Sequence, residues 1–187
     1  MITALDEKTA LVLIDLQKGI VSYPTVHPIA GVLANSAKLV AAFRKANLPI
    51  VIVNVDPSKN KAANTRKDGQ QRAMGEISAE WLEIVPEIAA QPGDIFITKQ
   101  TWSAFYETAI DEELKKRGVT GIVLAGVSTS IGVEGTARAA FERGYNISFA
   151  IDATTDMVAE AYERSVKYIF PRMGESGTTD EVIGQLG

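Results

Sequence analysis

Three places in the sequence combine a reactive side chain with surroundings that would tune it. Asp15 stands inside an otherwise apolar run, residues 11–16 (LVLIDL). A carboxylate among such neighbours must be paired, hydrogen-bonded or neutral, because moving its charge out of water is costly. Lys99 follows a second apolar run, residues 94–98 (DIFIT). Residues 126–132 (GVSTSIG) lead from a third run into a helical pattern and carry the hydroxyls of Ser128, Thr129 and Ser130. An acid and an ammonium at equivalent ends of adjacent strands would form a charge pair in a cleft, suited to general acid–base work. Each also has a structural reading, Asp15 as a loop cap and Lys99 as a solvated strand-end lysine.

The nucleophile is the difficulty. The chain has no cysteine, so no thiol, disulfide or thiolate metal site exists. A serine needs a base within hydrogen-bond reach, and the one histidine is His27, in a proline-containing loop (YPTVHP) that reads as packing or solvent contact. Thr129 or Ser130 reads better as the cap of a helix starting at Ile131. The backbone N–H groups near Ile131 and Gly132 at that helix start suit an anionic or carbonyl oxygen. Gln17 shares a strand face with Asp15 and is either a site residue or a structural amide. Arg66 and Arg72 are candidates for binding substrate carboxylates, and Trp102, Phe105 and Tyr106 for lining a pocket, with solvation and core packing as their alternatives. One histidine cannot supply a histidine cluster, so no metal is expected, and no cofactor is expected.

These residues need a scaffold that brings strand ends together. Residues 11–16, 50–55, 94–98, 121–125 and 147–151 are short, rich in Val and Ile and apolar on both faces, as in a parallel sheet covered on each side. Helical patterns alternate with them. Val32, Leu39, Val40 and Phe43 form a stripe ended by Asn47 and Pro49. Residues 77–88 form a weaker helical stretch broken by Pro86, and residues 106–117 place acids early and bases late before Gly118. Residues 131–143 and 157–169 complete the series. The expectation is an α/β fold, a three-layer αβα arrangement around a doubly wound, mostly parallel, Rossmann-like sheet of about six strands. In such sheets sites form beyond the carboxyl ends of the strands. Residues 56–75 are polar and aperiodic, and a loop of that length reads as a lid or a partner contact.

Bulk properties set the outer limits. A length of 187 residues fits one domain spanning 1–187. The net charge of -4 argues against a nucleic-acid partner, which would require a basic face. The N-terminal apolar run lacks a basic start and contains Asp15, so it reads as neither signal peptide nor membrane span. A cytoplasmic protein acting on a small molecule is expected.

Three ordered motifs then resemble the isochorismatase-like (cysteine hydrolase) superfamily: ALVLIDLQ at residues 10–17, TKQTWSAF at 98–105, and LAGVSTSIGVEGTARAAFERGY from Leu124, followed by DAT at 152–154. The resemblance runs from about residue 9 to the C-terminus. It implies an aspartate, a lysine and a cysteine at one pocket, matched by Asp15, Lys99 and, where the cysteine belongs, Gly132. The covalent thiol route of the amidase-type members is therefore closed. True isochorismatases are similar in carrying glycine there, and the resemblance implies that a protonated Asp15 would deliver a proton to an enolpyruvyl carbon, with Lys99 holding carboxylate. Substrate contacts are expected from Gln17, Trp102, Phe105, Val127, Ser128 and Ile131.

One departure matters. Isochorismatases typically carry Tyr-Ala-His where this chain has Ser128, Thr129 and Ser130, a sequence closer to the amidases, and the resemblance implies a cis peptide at Val127–Ser128. Three readings stay open: a cysteine-independent hydrolase of isochorismate or another enol ether, an amidase-type member inactivated by Cys-to-Gly replacement, and a non-catalytic binding or scaffold protein. Family members form dimers or tetramers, which makes the Trp81 region and the polar loop candidate self-association surfaces.

Overall fold

The computed structural model describes residues 1–63, 65–68 and 77–186. Six parallel strands form one sheet: β1 (Thr9–Ile14), β2 (Ile50–Val55), β3 (Ile95–Lys99), β4 (Gly121–Val127), β5 (Asn146–Thr155) and β6 (Glu175–Gly177), in the order β3-β2-β1-β4-β5-β6. The chain winds outward from β1 in one direction and from β4 in the other, so their shared boundary is the point where the order reverses. The α/β expectation holds. β6 escaped the sequence reading because its three residues, ESG, carry no apolar run.

Helices cover both faces. Leu11, Leu13, Ile50, Ile52, Val123 and Ala125 pack under α2 (Ile29–Lys45) and α7 (Thr179–Gly184) through Leu39, Phe43 and Val182. On the other face, Val12, Ile14, Val53 and Leu124 pack against α4 (Ile110–Lys116) and α5 (Glu134–Phe141) through Leu114, Ala137 and Ala140. Alternate strand residues thus feed two cores, as the both-faces-apolar pattern requires. The short helices α1 (Lys18–Val21), α3 (Ala79–Leu82) and α6 (Ala159–Arg164) flank the carboxyl end.

Several boundaries differ from the sequence expectation. β1 stops at Ile14 because Asp15 turns into the left-handed region, φ 53°. Residues 77–88 form only α3 and a 3₁₀ turn at Pro86–Ile88, because Ile84 pairs with Gln17 in an antiparallel bridge between them. The helix expected over 106–117 begins at Ile110, since Glu107 adopts φ 52° and breaks the first turn. Those expected over 131–143 and 157–169 each contain a π turn, at Thr129–Val133 and Ser165–Ile169. Trp81 is half-buried, its ring lying where a Cβ on Gly19 would come within 2.2 Å. Among the described residues no helix is long and apolar enough to cross a membrane.

Candidate active site

Asp15, Lys99 and Gly132 meet beyond the carboxyl ends of β1, β3 and β4. Lys99 lies two strands from β1, a gap of ~9–10 Å between strand axes that only a long side chain can bridge. Its Nζ donates to Asp15 Oδ2 at 2.7 Å and to the Thr101 carbonyl at 3.0 Å. Both partners of the ion pair are buried, Asp15 at 5% and Lys99 at 2% exposure. Two of the three ammonium protons are used, which leaves one N–H for a ligand.

The two oxygens of Asp15 differ. Oδ2 accepts from Lys99, while Oδ1 is buried with no hydrogen-bond partner among the described residues. Burial pushes the carboxyl up to about 6, against the pull of the Lys99 ammonium. A proton on this group therefore belongs on Oδ1, where no donor competes for the lone pair.

Gly132 sits in the π turn that follows β4. A Cβ there would lie 3.4 Å from Asp15 Oδ2, 3.4 Å from the Val127 carbonyl and 2.8 Å from Ile14 Cγ2. The first distance puts position 132 at the Asp15 carboxyl. The last is shorter than packed carbon atoms tolerate, and Ile14 is fully buried with a stiff branched side chain. Upstream, Gly126 has φ 118° and passes so close to β1 that a Cβ would fall 2.1 Å from the Ile14 carbonyl. The Val127–Ser128 peptide is cis.

This turn is fixed from β5, by residues the sequence reading did not single out. Thr154 Oγ1 donates to the Gly126 carbonyl at 2.7 Å and lies 2.7 Å from Thr129 Oγ1. Since the Thr154 proton goes to Gly126, Thr129 is the donor in the second bond. Asp156 accepts from the Ser130 N–H through Oδ2 at 2.7 Å and from Met157 and Val158 through Oδ1. The cap expected from Thr129 or Ser130 is therefore supplied by a carboxylate 26 residues later. Thr154→Val would leave a buried carbonyl and a buried hydroxyl unsatisfied, and is expected to lower stability by ~1–3 kcal/mol in urea unfolding. A change below ~0.5 kcal/mol would mean the hydroxyl chain does not hold the turn.

The other expected contacts divide. Ser128 is buried, and its carbonyl accepts from the Ile131 and Val133 N–H groups at the turn. Ile131 and Trp102 stand open, at 41% and 63% exposure. Gln17 belongs to the scaffold: its amide accepts from Val55 N and donates to the Val55 and Trp81 carbonyls, so both of its N–H donors are held by backbone. Phe105 and Val127 are packed into the two cores, so neither is an open wall. Tyr106 is exposed and borders a cavity with Lys61, Thr101 and Glu107. His27 bonds Thr155 and packs edge-on against Tyr162, with centroids 4.5 Å apart, and activates none of the three hydroxyls at 128–130. Arg66 is exposed, and Arg72, with much of the expected lid, lies outside the described residues. Among the described residues no group of three or more His, Cys, Asp or Glu is placed to hold a metal ion.

The sequence matches the isochorismatase domain over residues 9–181. This chain belongs to the isochorismatase family of hydrolases. It is 45% identical over 184 residues to the isochorismatase family protein YwoC of Bacillus subtilis, covering 96% of this chain and 95% of that one. A solved isochorismatase family protein from Burkholderia thailandensis is 36% identical and superimposes with a TM-score of 0.93, covering 100% and 99% of the two chains. The ureidoacrylate amidohydrolase RutB of Variovorax paradoxus is 27% identical over 201 residues, covering 94% of this chain and 80% of that one. The family thus reaches this chain with an amidohydrolase among its relatives, while the chain itself has no thiol.

Proposed function

We propose that this isochorismatase-family chain hydrolyses an enol ether without a covalent intermediate, with Asp15 as general acid. The observation that carries the reading is the asymmetry of one buried carboxyl: Oδ2 held by Lys99, Oδ1 unpartnered, and the whole group raised to about 6. In the step we envisage, Oδ1–H gives its proton to the terminal vinyl carbon of R–O–C(=CH2)–R′. The resulting oxocarbenium takes water, and the hemiketal collapses to R–OH and CH3–CO–R′ as a proton returns to Asp15. Lys99 stabilises the carboxylate left after proton transfer and offers its remaining N–H to a substrate oxygen.

Position 132 is where we place the family's nucleophile, and glycine there leaves the attacking role to water. The close approach of Ile14 to any Cβ at this position supports a pocket packed for glycine over an amidase that has merely lost its thiol. Gly132→Cys is accordingly expected to destabilise the fold by ~1–3 kcal/mol through overpacking. A Gly132→Cys protein as stable as wild type, with a reactive thiol and amidase activity, would restore the amidase reading. The direct test is ketone or pyruvate release from isochorismate and simpler enol ethers, followed with lactate dehydrogenase where the product is pyruvate. No release from any of them, alongside tight binding of a small ligand, would favour the binding-protein reading.

A further inference from the structure

Strand periodicity by itself would keep Asp15 and Lys99 apart. Ala10, Val12 and Ile14 of β1 lie in the core under α4 and α5, while Leu11 and Leu13 lie in the core under α2. An Asp15 that continued the strand would therefore point towards α2 with Leu11 and Leu13. Lys99 follows Ile95 and Ile97, which belong to the core under α4 and α5, so alternation sends its side chain to the opposite face of the sheet. What carries the carboxyl across is the left-handed backbone of Asp15, φ 53°. A residue with a Cβ disfavours that conformation, so the surrounding contacts must hold it.

Gln17 supplies such a contact. β1 and β2 pair in parallel from Leu11↔Ile50 to Ile14↔Val53, and the Asp15 N–H still reaches the Val53 carbonyl at 2.9 Å. Beyond the turn the backbone changes partner: Val85 N donates to the Leu16 carbonyl at 3.1 Å, and Lys18 N to the Glu83 carbonyl at 2.8 Å. β2 runs on to Val55, whose N–H and carbonyl have lost the strand that would have paired them on this side. The Gln17 amide takes that place. It accepts from Val55 N at 2.7 Å and donates to the Val55 carbonyl at 3.1 Å, with its second N–H on the Trp81 carbonyl at 3.3 Å. The residue is fully buried. A primary amide carries the donor and the acceptor of a peptide unit, so one side chain closes the ladder that β1 leaves at Asp15.

We propose that Gln17 is the positioning residue of the Asp15–Lys99 pair. By closing the end of β2 it removes the drive for β1 to continue straight, and so keeps Asp15 in the turn that brings its carboxyl to the Lys99 side of the sheet. Without the amide, the bare N–H and carbonyl of Val55 favour an extended strand, in which the backbone of residues 15–17 would satisfy them and the carboxyl would face α2. The catalytic consequence rests on the reading of Asp15 as the general acid; the positioning of the pair does not.

The test is a double-mutant cycle in urea unfolding at pH 8, which needs no substrate. In the wild-type background Lys99→Met removes the partner of Asp15 and lowers stability. In the Gln17→Met background, with the carboxyl turned away, the same change is expected to cost less than half as much. Gln17→Asn, one methylene shorter and so withdrawn from Val55, keeps a neutral amide and serves the same cycle where the Met protein does not fold. A cost of half or more in the Gln17 background would make the amide a support of the sheet alone and overturn the proposal. Failure of both Gln17 variants to fold would do the same. On an enol ether that the wild type turns over, each Gln17 variant is expected to lower kcat at least tenfold, with KM changed less than threefold. An unchanged kcat in a variant that has lost the coupling would refute the role of Asp15 as acid and uphold the positioning. So would a wild type inactive on every enol ether, with the coupling still lost in the Gln17 variants.

Discussion

Asp15→Asn is expected to lower kcat on any enol ether the protein turns over by ~10²–10⁴, the usual contribution of a positioned general acid. The amide keeps the size of the carboxyl but cannot release a proton to carbon, so circular dichroism should still report a folded α/β protein. The wild-type pH profile makes the same claim without a mutation. With the carboxyl at about 6, the acid form dominates below that pH and falls tenfold per pH unit above it. The rate should therefore be level below about pH 6 and decline with unit slope above. At pH 7 about a tenth of the molecules carry the proton, enough for turnover. A profile that rises through pH 6 would assign Asp15 the role of base and remove the proposed step. The Asn variant should lose this limb altogether, a change that a purely structural role would not produce.

Much of this site was legible in the sequence, and the missing part has a physical cause. Asp15 and Lys99 stood out because each interrupts or ends an apolar run, and the cost of burying charge makes that pattern informative. Their contact was not legible. β2 lies between their strands, and the order β3-β2-β1-β4-β5-β6 is a property of the folded sheet that no local pattern encodes. Asp156 was missed for a related reason. The three N–H partners of its carboxylate include one from residue 130, and a single acid after DATT at the end of a run resembles any turn residue. Gln17 was visible but ambiguous, since strand periodicity puts it on the face of Asp15. Only the folded position of Val55 shows that the amide is consumed by backbone. The dipole pattern over 106–117 was correct from Ile110 onward and wrong before it, because acids at the start of a helix do not reveal a left-handed residue such as Glu107.

Lys99→Met provides the second large effect, and its sign depends on pH. In the wild type, folding raises the Asp15 carboxyl from 3.8 to about 6. The stability this group contributes is thus fully present below pH 3.8 and is lost as pH rises through 6, a swing of ~3 kcal/mol from the size of the shift. Lys99 opposes that rise, so removing the ammonium leaves burial alone and moves the carboxyl above 6. At pH 8 the variant must bury either an unpaired carboxylate or a proton taken up against the solution pH. Breaking a buried pair in this way costs ~3–5 kcal/mol as an upper range. At pH 5 Asp15 is already mostly protonated in the wild type, and the ammonium is the group without a counter-charge, so its removal costs little. Urea unfolding at the two pH values should therefore show a loss at pH 8 that shrinks or vanishes at pH 5. The descending limb of the rate profile should move to higher pH in the same variant. An equal loss of stability at both pH values would mean that Lys99 acts through packing alone and does not set the protonation of Asp15.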